Sequence, residues 1–232
     1  MEGTHTKESI LLFIEGMLRD NILQTEDLRV FQRQTNPDTP DAVRAMMEDW
    51  YVGMGIESII GRRLVLSQCP FSQEEIQEAY RNEEAILCVP ANVSRAQFGE
   101  LFRINTWALS DPLITQVPET EDLWFRTKMS ESPSMIKTTG IDVANLYGSY
   151  PYIQFSLERY LVFIGWYRHL YGKNPDQEYW IWLPHGRYDR SGMLMAGFDR
   201  FHNFNVHGWM PQFSAGFLGA RFGIISQNKR TE

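Results

Sequence analysis

Tyr179–Gly223, YWIWLPHGRYDRSGMLMAGFDRFHNFNVHGWMPQFSAGFLGARFG, is the stretch whose reading decides the fold. Apolar and polar residues alternate around Trp180 and Trp182, the period of a strand with one buried face. Gly and Asn then recur at short intervals up to Gly223, which predicts successive antiparallel strands. Two His-Gly pairs, His185-Gly186 and His207-Gly208, stand 22 residues apart, and each has a glycine 12 residues past its histidine, Gly197 and Gly219. That spacing suggests a doubled hairpin.

Immediately upstream, Leu157 to about Tyr171 is apolar nearly all round between a candidate cap at Ser156 and a stop at Gly172, so it predicts a buried helix backing the sheet. Its polar residues Glu158, Arg159 and His169 share one flank, which places His169 in solvent. Leu123–Met129 reads as a strand, and the Ser-, Thr- and Gly-rich stretch from Ser130 to Gly148 as an extended loop. Two strand-helix units precede these. Leu64–Leu66 leads into a helix capped by Ser72 with Glu75, and Ile86–Val89 leads into one capped by Ser94 with Gln97; both are capping boxes. An amphipathic helix is expected after Thr6, a short one after Thr25, and another after Thr39-Pro40 with Val43, Met46, Met47, Trp50 and Met54 on one face. The fold class is α+β: a helical lobe over 1–63 and an α+β domain over 64–232 whose C-terminal sheet is mostly antiparallel, the two expected to form one compact unit.

Composition narrows the function classes. The chain has 232 residues, of which 43% are hydrophobic and 22% charged, the balance of a globular protein. Net charge is -7, but residues 1–130 hold 21 acids and 12 bases while residues 131–232 hold 8 and 10. The acidic front half disfavours nucleic-acid binding, and the mildly basic rear half suits a small anionic ligand. Cys69 and Cys88 are too few for a disulfide scaffold, and there is no signal-peptide core or membrane-length apolar run, so a cytoplasmic location is expected, with no membrane partner. Zinc spacings, phosphate-binding glycine loops and nucleophile elbows are missing from the sequence, and no cofactor or metal is expected.

The polar insertions in the C-terminal run are the candidate functional residues. His185 or His207 could act as a general base with Asp189 fixing its tautomer, in a small hydrolase or phosphate-recognising enzyme. Arg187, Arg190, Arg200 or Arg221 could clamp a carboxylate or phosphate, with Tyr188 and Trp209 supplying contact area. A metal reading would draw on His185, His202, His207 and an Asp; a purely structural one pairs Asp189 and Asp199 with nearby arginines. The leading expectation is a binding or interaction protein that uses this aromatic region for a protein partner or small anionic ligand, with homo-oligomerisation an open alternative. The order of apolar helix, strand, His185-Gly186-Arg187-Tyr188-Asp189-Arg190 loop, apolar strand and Gly208-Trp209 close resembles a bacterial domain family of unknown function, over about the last third of the chain. The resemblance implies a bacterial origin and no activity, and the cysteines of that family's closing segment are missing here.

Overall fold

The Thr39 hydroxyl accepts a hydrogen bond from the Ala42 amide at 3.3 Å, and Pro40, with no amide to leave unpaired, opens α1 (Pro40–Gly53). Val43, Met47, Trp50 and Tyr51 face the core, and Gly55, in a left-handed conformation, turns the chain into α2 (Ile56–Ile60). Met54, expected on the buried face, lies just past the helix and is exposed. The structure is a computed structural model that describes Arg19 and residues 36–104, 106–146, 150–189 and 192–227. The helices expected after Thr6 and Thr25 lie outside the described residues. Residues Asp38–Glu232 group as one unit.

Both capping boxes form, opening α3 (Gln73–Arg81) and α4 (Arg95–Leu101). The second box follows β1 (Glu84–Val89) as expected. The strand expected over 64–66 is instead an extended segment without a partner strand among the described residues. Side chains take the amides that a ladder would use: Leu64 N–H donates to Glu57 at 2.9 Å, Leu66 N–H to Glu48 at 2.8 Å and Ser67 N–H to Asp122 at 2.5 Å. With these donors satisfied, nothing drives strand pairing.

The fold is α+β, with two sheets. The first runs β1-β3-β10-β5, where β3 is Leu123–Lys128, β10 Phe222–Ile224 and β5 Tyr152–Gln154, antiparallel throughout. The second runs β4-β9-β6-β7-β8: β4 is Met135–Ile136, β9 Leu218–Ala220, β6 Trp180–Tyr188, β7 Gly192–Phe198 and β8 Phe204–Trp209. β2 (Ile114–Gln116) pairs with the C-terminal end of β6, and β9 runs parallel to its start. The C-terminal run is therefore the antiparallel-rich sheet its alternation predicts, built as a meander from β6 to β8. The two His-Gly pairs are not equivalent in it: Gly186 belongs to an irregularity between Leu183 and Arg187, whereas His207 sits in regular register opposite Met195.

Between the sheets runs α7 (Leu157–Tyr171), started by the Ser156 hydroxyl, which accepts from the Arg159 amide at 3.2 Å, and stopped at left-handed Gly172. Every residue from Leu157 to Tyr167 is buried, and the helix packs on both β1 and β6. One core cluster joins Phe125, Phe163 and Ile181; a smaller one on the far side of β6 and β7 joins Trp182 and Met195 to Val143. Val143 comes from α6 (Gly140–Leu146), a helix inside the stretch expected to be loop. Thr139 starts it, its Oγ1 accepting from the Asp142 amide at 3.0 Å while donating to that residue's carboxylate at 2.6 Å. The short α5 (Thr106–Leu109) completes the described helices.

Candidate functional site

Cross-strand register places several of the expected binding residues on one face. Arg187 of β6, Met193 of β7 and Trp209 of β8 form one row of the sheet, and Trp182, Met195 and His207 form the next row on the same side. The His207 ring lies 5.3 Å from Trp180 and 6.5 Å from Tyr188. α6 covers the Trp182 end of this face: Trp182 Nε1 donates to Thr138 O at 3.1 Å, and a Cβ built on Gly140 would come within 2.5 Å of Met193 Sδ, so the end of the Met193 side chain packs directly on the start of the helix. Beyond α6 the face is open, and the segment after β8 borders it. Ile141 N–H donates to Pro211 O at 3.1 Å, the Ser214 hydroxyl donates to Lys137 O at 3.0 Å, and Trp180 N–H donates to Phe217 O at 2.8 Å.

The consequence is an apolar surface. Trp209 is 45% exposed, Met210 60%, Phe213 39%, Phe217 50% and Ile141 42%; Ile136, paired with Gly219 beside Ile181, lies on the other face of the sheet. The Trp209 and Phe213 rings meet at 5.8 Å, edge to face. Exposed Lys137, Arg187 and His207 stand beside it. Singly exposed apolar residues need no explanation, but contiguous ones mark interaction surfaces.

Comparison with family models, curated proteins and solved structures gives no match.

The residues expected to act together catalytically are not joined. No hydrogen bond links His185, His207 and Asp189 among the described residues. His185 interacts electrostatically with Arg159 and Glu119; partial burial, and then the Arg159 charge, push its pKa below the ordinary histidine range. Asp189 adopts a left-handed φ of 54° at the end of β6, and its amide donates to Leu113 O at 2.8 Å. Tyr188 donates to Asp111 at 2.6 Å, a hydrogen bond that lowers the aspartate's pKa and raises the phenol's. Asp199 organises the turn before β8, accepting from the amides of Phe201 and Asn203 at 2.8 and 2.9 Å, and those bonds hold its pKa down. Arg200 stacks over the Phe201 ring at 4.7 Å. Arg190 lies outside the described residues. No group of three or more metal-ligating side chains converges among the described residues.

Arg221 is buried, 1% exposed, and holds Asp176 by two hydrogen bonds, Nε to Oδ2 at 2.7 Å and Nη2 to Oδ1 at 2.8 Å. Tyr160 OH donates to the same carboxylate at 3.1 Å, and the guanidinium lies 4.2 Å above the Phe163 ring. All of this is interior structure.

A second polar group, Glu158 and Arg159, shares the flank expected in solvent through His169, yet both side chains are buried. Glu158, in the first turn of α7, accepts a hydrogen bond from Gln116 Nε2, while Gln116 Oε1 accepts from the Leu157 amide at 2.9 Å. Beside it Arg159 pairs with Glu119 at 2.7 Å. Burial raises the Glu158 pKa. The available signal was two adjacent charges in an otherwise apolar helix.

Proposed function

We propose that this chain is an interaction protein whose apolar face around Trp209, Met210 and Phe213 docks a protein partner. The observation that carries the reading is the run of exposed side chains at Trp209, Met210 and Phe213, the first and last meeting ring to ring at 5.8 Å, next to exposed Ile141 on a segment held by the hydrogen bonds of Pro211 and Ser214. The basic neighbours Lys137 and Arg187 favour a partner segment with apolar anchors flanked by acidic residues. Large aromatic anchors in such a patch carry most of the binding free energy. We place the action in the cytoplasm, a reading supported by two cysteines in no disulfide and by the lack, among the described residues, of a helix long and apolar enough to cross a membrane. The hydrolase reading has less support, since no hydrogen bond links His185, His207 and Asp189 among the described residues.

The test is photo-crosslinking in cells from a reactive residue placed at Phe213, repeated with Met210→Asp and Trp209→Ala. The expected outcome is one crosslinked partner in the parent chain, lost in both variants while their circular dichroism is unchanged. A crosslinking pattern identical in all three chains overturns the reading; a crosslink to a second copy of this chain makes the partner itself.

A further inference from the structure

A second site, independent of the apolar face, lies where β3 runs into residues 130–134. A cleft of about 470 Å³ opens there, lined by Glu84, Arg126, Lys128, Ser132, Ser134 and Phe222 among others. Its size suits a small molecule.

The charged wall of the cleft is only partly satisfied by the protein. The Arg126 side chain is 10% exposed, with Nη1 3.1 Å from Glu78 and Nε 3.5 Å from Glu84. Neither contact has hydrogen-bond geometry, so these two nitrogens and Glu84 Oε2 are buried without a hydrogen-bond partner. Both nitrogens stay ion-paired to those carboxylates, so Arg126 fixes the wall of the cleft and leaves the ligand-facing donors to Lys128 and the rim. Among the described residues Lys128, which is exposed, makes no ion pair, and the hydroxyls of Ser132 and Ser134 make no hydrogen bond.

The opposite rim is held in place from the core. Arg221 Nη2 donates to Ser130 O at 2.8 Å, and the Asp176 amide donates to Glu131 O at 2.8 Å, so the buried pair grips the start of the rim. The Ser130 hydroxyl donates to Ser132 O at 2.7 Å. Pro133 is buried against Gly219, where an added Cβ would come within 2.5 Å of Pro133 Cγ. The donors of Ser132 and Ser134 are thus carried on a fixed backbone.

We propose that this cleft binds a small phosphomonoester. Lys128 supplies positive charge from the strand, Ser132 and Ser134 supply hydroxyl donors from the rim, and Phe222 and Ile224 give the ester's body an apolar wall. A phosphoryl group offers three terminal oxygens, which matches donors arriving from two sides better than a planar carboxylate does. Glu84 also lines the cleft and opposes an anion; its pKa is raised by burial, with Arg126 and Lys128 on β3 acting against that and Glu78 on α3 adding to it.

Calorimetric titration of the full chain with phenyl phosphate at pH 8, with benzoate as the carboxylate control, tests the site. Saturable one-to-one binding is expected, weakened about tenfold in Lys128→Ala, the scale of one hydrogen bond to a charged group. Ser132→Ala with Ser134→Ala weakens it several-fold, Arg63→Ala on another exposed segment leaves it unchanged, and Glu84→Gln tightens it by removing the opposing charge. No saturable binding, binding unaffected by Lys128→Ala, or benzoate bound as tightly as phenyl phosphate would each overturn the proposal.

Discussion

Arg221 shows how much of a residue's role depends on partners that are distant in sequence. An arginine after an aromatic strand reads as an anion clamp, yet it is spent on Asp176, 45 positions away, and nothing in the local pattern identifies that partner. Removing one member of a buried pair leaves the other charge uncompensated, so Asp176→Ala should cost about 3–5 kcal/mol, read as a lower urea midpoint. Asp176→Leu with Arg221→Met should lose far less, because an apolar pair of similar volume leaves no unpaired charge; a double variant as unstable as Asp176→Ala would show that the pair does more than satisfy itself. Glu158 gives a pH signature. Its folded pKa is raised, so the penalty for the ionised form is full above that pKa, shrinks as pH falls through it, and vanishes below the unfolded value of about 4.3. Glu158→Gln keeps an acceptor for Gln116, and it should raise the melting temperature relative to the parent at pH 8 but not near pH 4. An equal effect at both pH values would mean that ionisation is not the cause.

At the scale of elements, signals carried by adjacent residues were legible and signals that depend on competition for partners were not. The boxes Ser72 with Glu75 and Ser94 with Gln97 form where their spacing puts them, since every group involved is local. Leu64 to Leu66 has the strand alternation, with Val65 exposed and its neighbours buried, but which acceptor takes each amide depends on carboxylates elsewhere in the chain. The helix α6 was signalled by Thr139 followed three residues on by Asp142, a cap hidden in a stretch whose composition reads as loop. Gly165, in the middle of α7, poses a test of two opposed terms. Replacing a helical glycine by alanine gains about 1 kcal/mol of propensity. Here the new Cβ would come within 2.5 Å of the Phe102 ring, itself stacked on Trp50 at 5.5 Å and Phe98 at 5.9 Å, so the ring has little freedom to yield. Overpacking costs about 1–3 kcal/mol, so Gly165→Ala should be net destabilising in urea unfolding, with partial recovery when Phe102→Leu is added. A gain in stability would mean that the ring moves easily.

For the whole molecule, the open question in the sequence is where the globular unit begins. Composition suggests a helical lobe ending near residue 63, because alternation and helical period identify elements without saying which faces meet. Within the folded unit, Val43, Met47, Tyr51 and Ile56 are fully buried in the main core cluster, Tyr51 OH donates to Cys88 O of β1 at 2.7 Å, and Leu66 N–H depends on Glu48 of α1. Each large core side chain removed costs about 2–5 kcal/mol, and four of them exceed a large part of the roughly 5–15 kcal/mol that stabilises a domain. A fragment spanning 38–232 should therefore unfold cooperatively, with a single transition shared by far-ultraviolet and tryptophan signals, whereas a fragment spanning 64–232 should show no cooperative transition and should bind a dye specific for exposed apolar surface. If the shorter fragment unfolds as sharply as the longer one, α1 and α2 are a dispensable lobe, and the burial of Tyr51 against β1 contributes little to the fold.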